Sequence, residues 1–288
     1  MNLKPLVSIG IPAYNAEKTL DACIKSVVNQ TYRNIEIIIS DNCSSDSTAA
    51  ICRKFADIDP RINLVVQEEN IGPVANFNYV LSRSTGTYFM WLATDDFKSP
   101  DFIDINLEFL QKNPEYVAST CPNRFDVPDS ENHDWELLSL EGDQKFRIVD
   151  FLRNANRSRG LFYSLFRTDI LKKYPWFGVN FLAWDWLLLF YFSLNWKFHR
   201  SPNGSLVLGA NGQSTQTNAL EMSGVTGVKK LWPLSKFTIL ALITVLRICP
   251  KYFFVPLPDI WRLNSLMFRH QFFLMKHKLK KRILRISY

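Results

Sequence analysis

Four apolar runs in the first 100 residues each end in a cluster of carboxylates, amides or hydroxyls, and this punctuation restricts the fold more than any other feature. Residues 7–11 lead into Pro12, Ala13, Tyr14 and Asn15, and residues 35–40 lead into Asp41, Asn42, Cys43, Ser44, Ser45 and Asp46. Residues 62–66 precede Glu68, Glu69, Asn70, Ile71 and Gly72, and residues 88–92 precede Thr94, Asp95 and Asp96. Helix-like segments lie between them, near 16–29, 47–56, 74–84 and 100–113, and a fifth apolar run covers 117–120. Strands alternating with helices of this length predict βαβ units and an α/β, Rossmann-like, mostly parallel sheet flanked by helices. Ser44 to Ser47 and the Ser99-Pro100 pair carry helix-start chemistry for two of the helices.

Ligands of open parallel sheets bind beyond the carboxyl ends of the strands, so the four clusters define one candidate edge. The first loop has no GxGxxG and Gly10 is a lone glycine inside the strand, which disfavours a dinucleotide-dependent redox enzyme. Asp41, at a strand end, can accept hydrogen bonds from a base N–H or a ribose hydroxyl; Asp41 and Asp46 can equally build turns and caps. The neighbours Asp95 and Asp96 repel one another unless a cation lies beside them. Hard oxygen ligands of this kind suit Mg2+ or Mn2+, held through one or two carboxylates plus substrate phosphates. The plainer reading is a solvated acidic turn before the helix that starts at Ser99.

Taken together, Val7 through Asn15, Leu20, Ser26, Val27, Asn29 through Tyr32, Glu36 through Thr48, Glu69 through Gly72, and Thr94-Asp95-Asp96 with Pro100 shortly after give a specific likeness over residues 6–112. Over that stretch, and more loosely to about residue 215, the chain resembles a family 2 glycosyltransferase with the GT-A nucleotide-diphospho-sugar transferase fold. The resemblance implies that Pro12, Ala13, Tyr14 and Asp41 line a nucleotide pocket, with Asn15, Asn70, Gly72 and Asp95 completing the nucleotide-sugar site and a uridine-leaning donor. It places a variant DxD motif at Asp95-Asp96, Asp96 contacting a metal (Mg2+ or Mn2+) that bridges the diphosphate. Ala93 stands where the first aspartate of that motif usually lies.

Inverting members carry an acidic pair at the start of a helix in the acceptor half. The matching stretch here runs Leu182, Ala183, Trp184, Asp185, Trp186, Leu187, Leu188, with Trp184 in place of the first acid. The resemblance thus implies Asp185 as catalytic base. A carboxylate flanked by two tryptophans has a raised pKa if desolvated, which suits removing a proton from a sugar hydroxyl; a helix cap beside core aromatics is the other reading. The QxxRW motif of processive members is absent, which favours a single addition, and no histidine lies between His199 and His270.

The second half is less regular. Residues 122–145 are polar and acidic and predict a long loop; 161–166 and 170–174 are apolar; 181–194 read as a helix, 199–212 as one turn-bounded strand, and 213–227 as a loop or linker. The expected organisation is a GT-A domain over 1–228, with a donor-nucleotide half (1–122) and an acceptor half (123–228), followed by a basic aromatic helical tail over 229–288.

Charge supports that tail. The formal net charge of +7 conceals a split: residues 229–288 hold 13 Lys/Arg against the single acid Asp259, whereas 1–228 hold 21 basic and 26 acidic residues. Trp232, Phe237, Trp261, Phe268, Phe272 and Phe273 are interspersed with the cations. Basic-aromatic segments lie in the interface of anionic membranes, each Lys/Arg adding about 1 kcal/mol. Packing on the catalytic domain is the second reading; nucleic acid has no accompanying motif. The longest apolar stretch, 237–246, falls well short of the roughly 20 residues of a spanning helix. Five cysteines without ligand spacing fit a reducing compartment. The expectation is therefore a cytoplasmic enzyme peripheral to the inner face of the cell membrane, moving one sugar to a glycan or lipid-linked hydroxyl in cell-surface polysaccharide assembly. Two rivals stand beside it. A nucleotidyltransferase lacks support from a basic glycine-rich first loop, and a degenerate sugar-nucleotide-binding or scaffold protein draws on Ala93 and Trp184.

Overall fold

The apolar runs become strands in a computed structural model that describes residues 4–126, 136–209 and 232–269. The chain divides into two units. One comprises Met1–Gly142, Asn156–Val179 and Trp196–Gln216, and the other Asp143–Ala155, Asn180–Asn195 and Thr217–Tyr288.

In the first unit β1 (Val7–Ala13), β2 (Ile35–Asp41), β3 (Ile62–Val66) and β4 (Tyr88–Trp91) run parallel, in register from Val7 opposite Ile35 to Ala13 opposite Asp41. The intervening helices are α1 (Leu20–Val28), α2 (Thr48–Ile58) and α3 (Pro73–Arg83), and α4 (Phe102–Lys112) precedes β6 (Tyr116–Thr120). With β8 (Leu165–Arg167) and β9 (Lys197–Arg200) they complete a seven-stranded sheet of order β3-β2-β1-β4-β8-β6-β9, parallel except for β8. Both faces are covered, which is why β1 buries Val7, Ser8, Ile9, Gly10 and Ile11 in succession instead of alternating. A Cβ at Gly10 would lie 2.7 Å from Val80 Cγ2 and 2.8 Å from the Phe89 ring, so the lone glycine lets α3 seat on the sheet. On the same face Trp91 stacks on Phe162 (4.8 Å, 8°) and donates its indole N–H to the Phe77 carbonyl at 2.9 Å.

Three departures from the sequence expectation have local causes. The polar stretch 122–145 contains β7 (Asn123–Asp126) and the start of α5 (Gln144–Arg153), whose first turn is capped by Asp143 accepting the Phe146 N–H at 2.7 Å. The single strand expected over 199–212 is two: β9 closes the large sheet, and β10 (Leu206–Gly209) lies between β5 (Phe97–Lys98) and β7 in a three-stranded one. One helix start also differs. At α2 the expected stretch does start the helix, with Ser47 in the cap position and Asp46 accepting the Thr48 N–H at 2.9 Å, but at α4 Asp101 and not Ser99 holds the cap position. Short helices α6 (Arg159–Phe162) and α7 (Thr168–Leu171) flank β8. The loop expected over 213–227 lies outside the described residues.

The second unit is helical among its described residues: α5, α8 (Trp184–Ser193), α9 (Ser235–Ile248) and α10 (257–269). Leu187, Leu188, Leu189, Phe190 and Phe192 of α8 are all buried, as a helix apolar on every face requires. Phe190 meets Phe151 of α5 at 5.9 Å and Phe237 of α9 at 6.4 Å, and Asn264 of α10 donates to Thr238 Oγ1 at 2.9 Å. No helix among the described residues is long and apolar enough to cross a membrane.

Candidate functional site

The loops after β1 and β2 are laced together. Asn15 donates its N–H to Ser44 Oγ at 2.9 Å, while its Oδ1 accepts from the Ser45 N–H at 2.9 Å. Asn42 donates its N–H to the Ala13 carbonyl at 2.8 Å, and Thr48 Oγ1 accepts from the Ala16 N–H at 2.7 Å. Asn15 (φ 46°) and Cys43 (φ 59°) both sit in the left-handed region, a conformation that costs a non-glycine residue about 1 kcal/mol. Asp41 is fully buried at the end of β2, its carboxylate accepting from the Ser44 hydroxyl and from the Ser44 N–H at 3.3 Å. Pro12 and Tyr14 are half-buried beside it and Ala13 is buried.

The third loop joins through amides. Asn42 donates to Asn70 Oδ1 at 3.0 Å and accepts from the Ile71 N–H at 2.9 Å; Asn70 Oδ1 also takes the Gly72 N–H at 2.9 Å. Gly72 (φ 83°) then turns the chain into α3. From α3 the buried Asn76 reaches back to the Ser40 carbonyl at 3.0 Å. The structure therefore gathers Asn15, Asp41, Asn70 and Gly72 into one hydrogen-bonded edge. Asn42 and Asn76 hold that edge together, a role the sequence reveals only as two amides, one of them in an otherwise amphipathic helix.

After β4 the chain turns through Ala93, whose carbonyl accepts from the Asp96 N–H at 3.1 Å and from Cys23 Sγ at 3.2 Å. Asp96 is buried, and its Oδ1 accepts the Gly209 N–H at 2.9 Å. Its Oδ2 and the Oδ2 of half-buried Asp95 are both shut off from solvent without a hydrogen-bond partner among the described residues. Burial, reinforced by the Asp95 charge, pushes the Asp96 carboxyl up to about 7, and burial also raises Asp95. Lys98, fully buried two residues on, donates to the Tyr163 carbonyl at 2.7 Å and lies 3.9 Å from the Phe102 ring centroid; burial lowers its pKa, and the Asp96 charge partly restores it. Two buried carboxylate oxygens with nothing to accept from form a donor set that suits a hard divalent cation completed by phosphates and water. Among the described residues no three His, Cys, Asp or Glu converge into a closed metal cage.

Asp185 belongs to the other unit. It is half-buried in the first turn of α8, which begins at Ala183 in the left-handed region (φ 65°). Beside it Trp186 meets Phe237 edge-on at 6.4 Å. A left-handed alanine at a helix start aims the following turn in a direction that an ordinary cap would not, at a cost of about 1–2 kcal/mol.

Known proteins resemble this chain in sequence or in fold. Chondroitin synthase of Escherichia coli is 33% identical over 142 residues, 48% of this chain and 20% of the synthase. Among solved structures, S. aureus TarS 1-349 in complex with UDP-GlcNAc superposes with a TM-score of 0.59 at 16% identity, covering 84% of this chain and 67% of that one. The mannosyltransferase PcManGT from Pyrobaculum calidifontis, in complex with GDP-Man and Mn2+, gives 0.62 at 15% identity, covering 94% and 74%. These likenesses establish the GT-A fold. Matches to curated relatives span less than half of the relatives' own length, 35%, 44% and 45% in three bacterial glycosyltransferases. A profile described as Glycosyl transferase family 2 matches residues 8–175, more than half of the chain, and the chain belongs to that family.

Proposed function

We propose that this protein is an inverting glycosyltransferase that moves a single sugar from a nucleotide-diphospho-sugar, with UDP as the favoured carrier, to a hydroxyl of a glycan or lipid-linked acceptor in cell-surface polysaccharide assembly. The observation that carries the proposal is the pair of unpartnered buried oxygens on Asp95 and Asp96 at the strand edge where Asp41, Asn15 and Asn70 also converge. UDP-GlcNAc and GDP-Man in the complexes of the two superposed proteins support a nucleotide-sugar as the ligand of such an edge.

In this reading Pro12, Ala13, Tyr14 and Asn15 flank the base and ribose, and Asp41 accepts from them after its Ser44 hydrogen bonds rearrange. Asn70 and Gly72 shape the far side of the pocket. Asp96, with Asp95 beside it, would hold Mg2+ or Mn2+. A bound divalent cation supplies Lewis-acid stabilisation of the departing nucleotide diphosphate. Asp185 removes the proton from the acceptor hydroxyl as that oxygen attacks the anomeric carbon opposite the leaving group, which inverts the centre. Donor binding thus falls to residues within 1–122 and acceptor activation to the half beyond.

The tail gives the enzyme its place. Trp232, Ile239, Leu246, Phe254, Trp261, Leu266 and Phe268 are exposed in the described part of a segment that carries 13 Lys/Arg. That composition favours peripheral attachment to the anionic cytoplasmic face of the membrane, where lipid-linked acceptors would be within reach.

Mass spectrometry of products from a panel of sugar nucleotides and lipid-linked acceptors tests the activity. A glycosylated product requiring a divalent cation is the expected result, and donor binding without transfer to any acceptor would favour a degenerate binding protein. The Asp185→Asn variant is expected to lose about 10²–10⁴-fold in turnover with donor binding intact; unchanged turnover removes Asp185 from the mechanism.

A further inference from the structure

Gly209 ends β10 against the acidic pair, and three observations meet there. Its N–H is the donor to Asp96 Oδ1, at 2.9 Å. A Cβ built on it would lie 2.5 Å from the Asp95 Cβ and closer still to the Asp95 carboxylate. Oδ2 of Asp96 and Oδ2 of Asp95 are buried and without a hydrogen-bond partner among the described residues. Rotating the Asp95 side chain cannot relieve the first of those overlaps, because Asp95 Cβ is fixed by the backbone; a side chain at 209 must push β10 or the 94–96 turn aside.

The sheet explains why the contact is held so closely. Val207 and Leu206 of β10 pair antiparallel with Phe97 and Lys98 of β5, immediately after the aspartates, while on its other edge β10 runs parallel to β7 with Gly209 opposite Asp126. The strand is pinned on both sides, so its last residue arrives at a set distance from the pair. Backbone N–H donation to one oxygen of Asp96 also leaves the other oxygen as the acceptor face of that carboxylate.

We infer that Gly209 is a positioning residue for the donor site: its N–H orients Asp96, and its missing side chain makes the room in which Asp95 stands. The inference rests on the reading of Asp95 and Asp96 as the cation and diphosphate site. It assigns to the second, three-stranded sheet the task of setting the geometry of that pair, and it makes glycine at 209 a requirement of ligand binding.

The test is a calorimetric titration of the full chain with UDP in the presence of Mn2+, for wild type, Gly209→Ala, Asp95→Gly and the Gly209→Ala/Asp95→Gly double variant, with the melting temperature of each alongside. Gly209→Ala is expected to weaken binding per folded molecule about tenfold or more, with a melting temperature lowered by the overlap. In the Asp95→Gly background, where the Cβ it would strike is gone, the same substitution is expected to change affinity less than twofold. Equal losses in both backgrounds, or no loss in either, overturn the inference. If Gly209→Ala alone does not fold, the comparison of Asp95→Gly with the double variant still decides: a further large loss there contradicts it. Failure of the wild type itself to bind UDP with Mn2+ overturns the donor-site reading and this inference with it, an outcome distinct from an unaffected Gly209→Ala.

Discussion

Two partly or wholly buried carboxylate sites lie toward opposite ends of the same parallel strands, and they are treated in opposite ways. Near the start of β2, Glu36 Oε1 accepts from Ser8 Oγ at 2.5 Å, the Thr85 N–H at 2.7 Å, Thr85 Oγ1 at 2.9 Å and the Gly86 N–H at 3.2 Å. Burial alone would raise its pKa, but these donors outweigh it and hold Glu36 below the ordinary carboxylate value. Beyond the end of β4, Asp96 has the Gly209 N–H on one oxygen and no partner among the described residues on the other, and its pKa is raised. A carboxylate surrounded by donors ties backbone segments together. One left short of donors in a buried turn is destabilising by itself, a deficit that a partner from outside the fold would relieve.

The largest effect expected from breaking this contrast is on catalysis. Asp96→Asn should lower turnover by about 10²–10³-fold, the loss typical of removing one electrostatic contact to a reacting group, with no fall in melting temperature. A variant that unfolds instead would mean that Asp96 is a structural residue of the same kind as Glu36.

Next in size is the converse. Glu36→Ala removes the acceptor of four donors, of which Ser8 Oγ and the Gly86 N–H are part-buried, and is expected to cost about 1–2 kcal/mol in chemical denaturation, leaving UDP affinity per folded molecule unchanged. Loss of affinity without loss of stability would erase the distinction between the two ends.

A smaller effect is the pH dependence, which should have opposite signs. The folded pKa of Glu36 is lowered, so its contribution is present above the unfolded value near 4.5 and fades as pH falls through the folded value. Glu36→Gln should therefore be less stable than wild type at pH 7 and converge with it in acid. The folded pKa of Asp96 is raised, so its penalty is absent below the unfolded value of 3.8 and grows as pH rises through about 7. Asp96→Asn should gain on wild type at pH 8 relative to pH 5. Parallel pH profiles for the two variants would count against the comparison. The smallest change is expected from Asn76→Ala, which removes the Ser40 contact and should cost about 1 kcal/mol with a modest rise in the KM for donor.

How much of this was legible beforehand follows from range. β1 to β4 and the helices between them are announced by runs of neighbouring residues, and the polar ends of those runs locate the edge of the candidate site. Asp95 and Asp96 stand out for the same reason, as adjacent like charges at a strand end. β5 and β7 are hidden because strands of two and four residues with Lys98 or Arg124 in them have no pattern of their own and exist only by pairing with β10. α5 could have been found: Asp143 precedes a turn in which Ile148, Phe151 and Leu152 recur at helical spacing. Gly209 could not, since its meaning comes from Asp95 and Asp96, 113 residues or more away in sequence. The unpartnered state of the aspartate oxygens is likewise a property of the folded turn.

In the proposed function the acidic pair is short of donors so that a cation and a nucleotide diphosphate can supply what is missing. Isothermal titration of wild type and Asp96→Asn with UDP, with and without Mn2+, tests it most directly. Wild type is expected to bind UDP at least tenfold more tightly with Mn2+ than without it, and Asp96→Asn to bind equally weakly in both. Metal-independent UDP binding by wild type, or a metal effect that survives in Asp96→Asn, would contradict it.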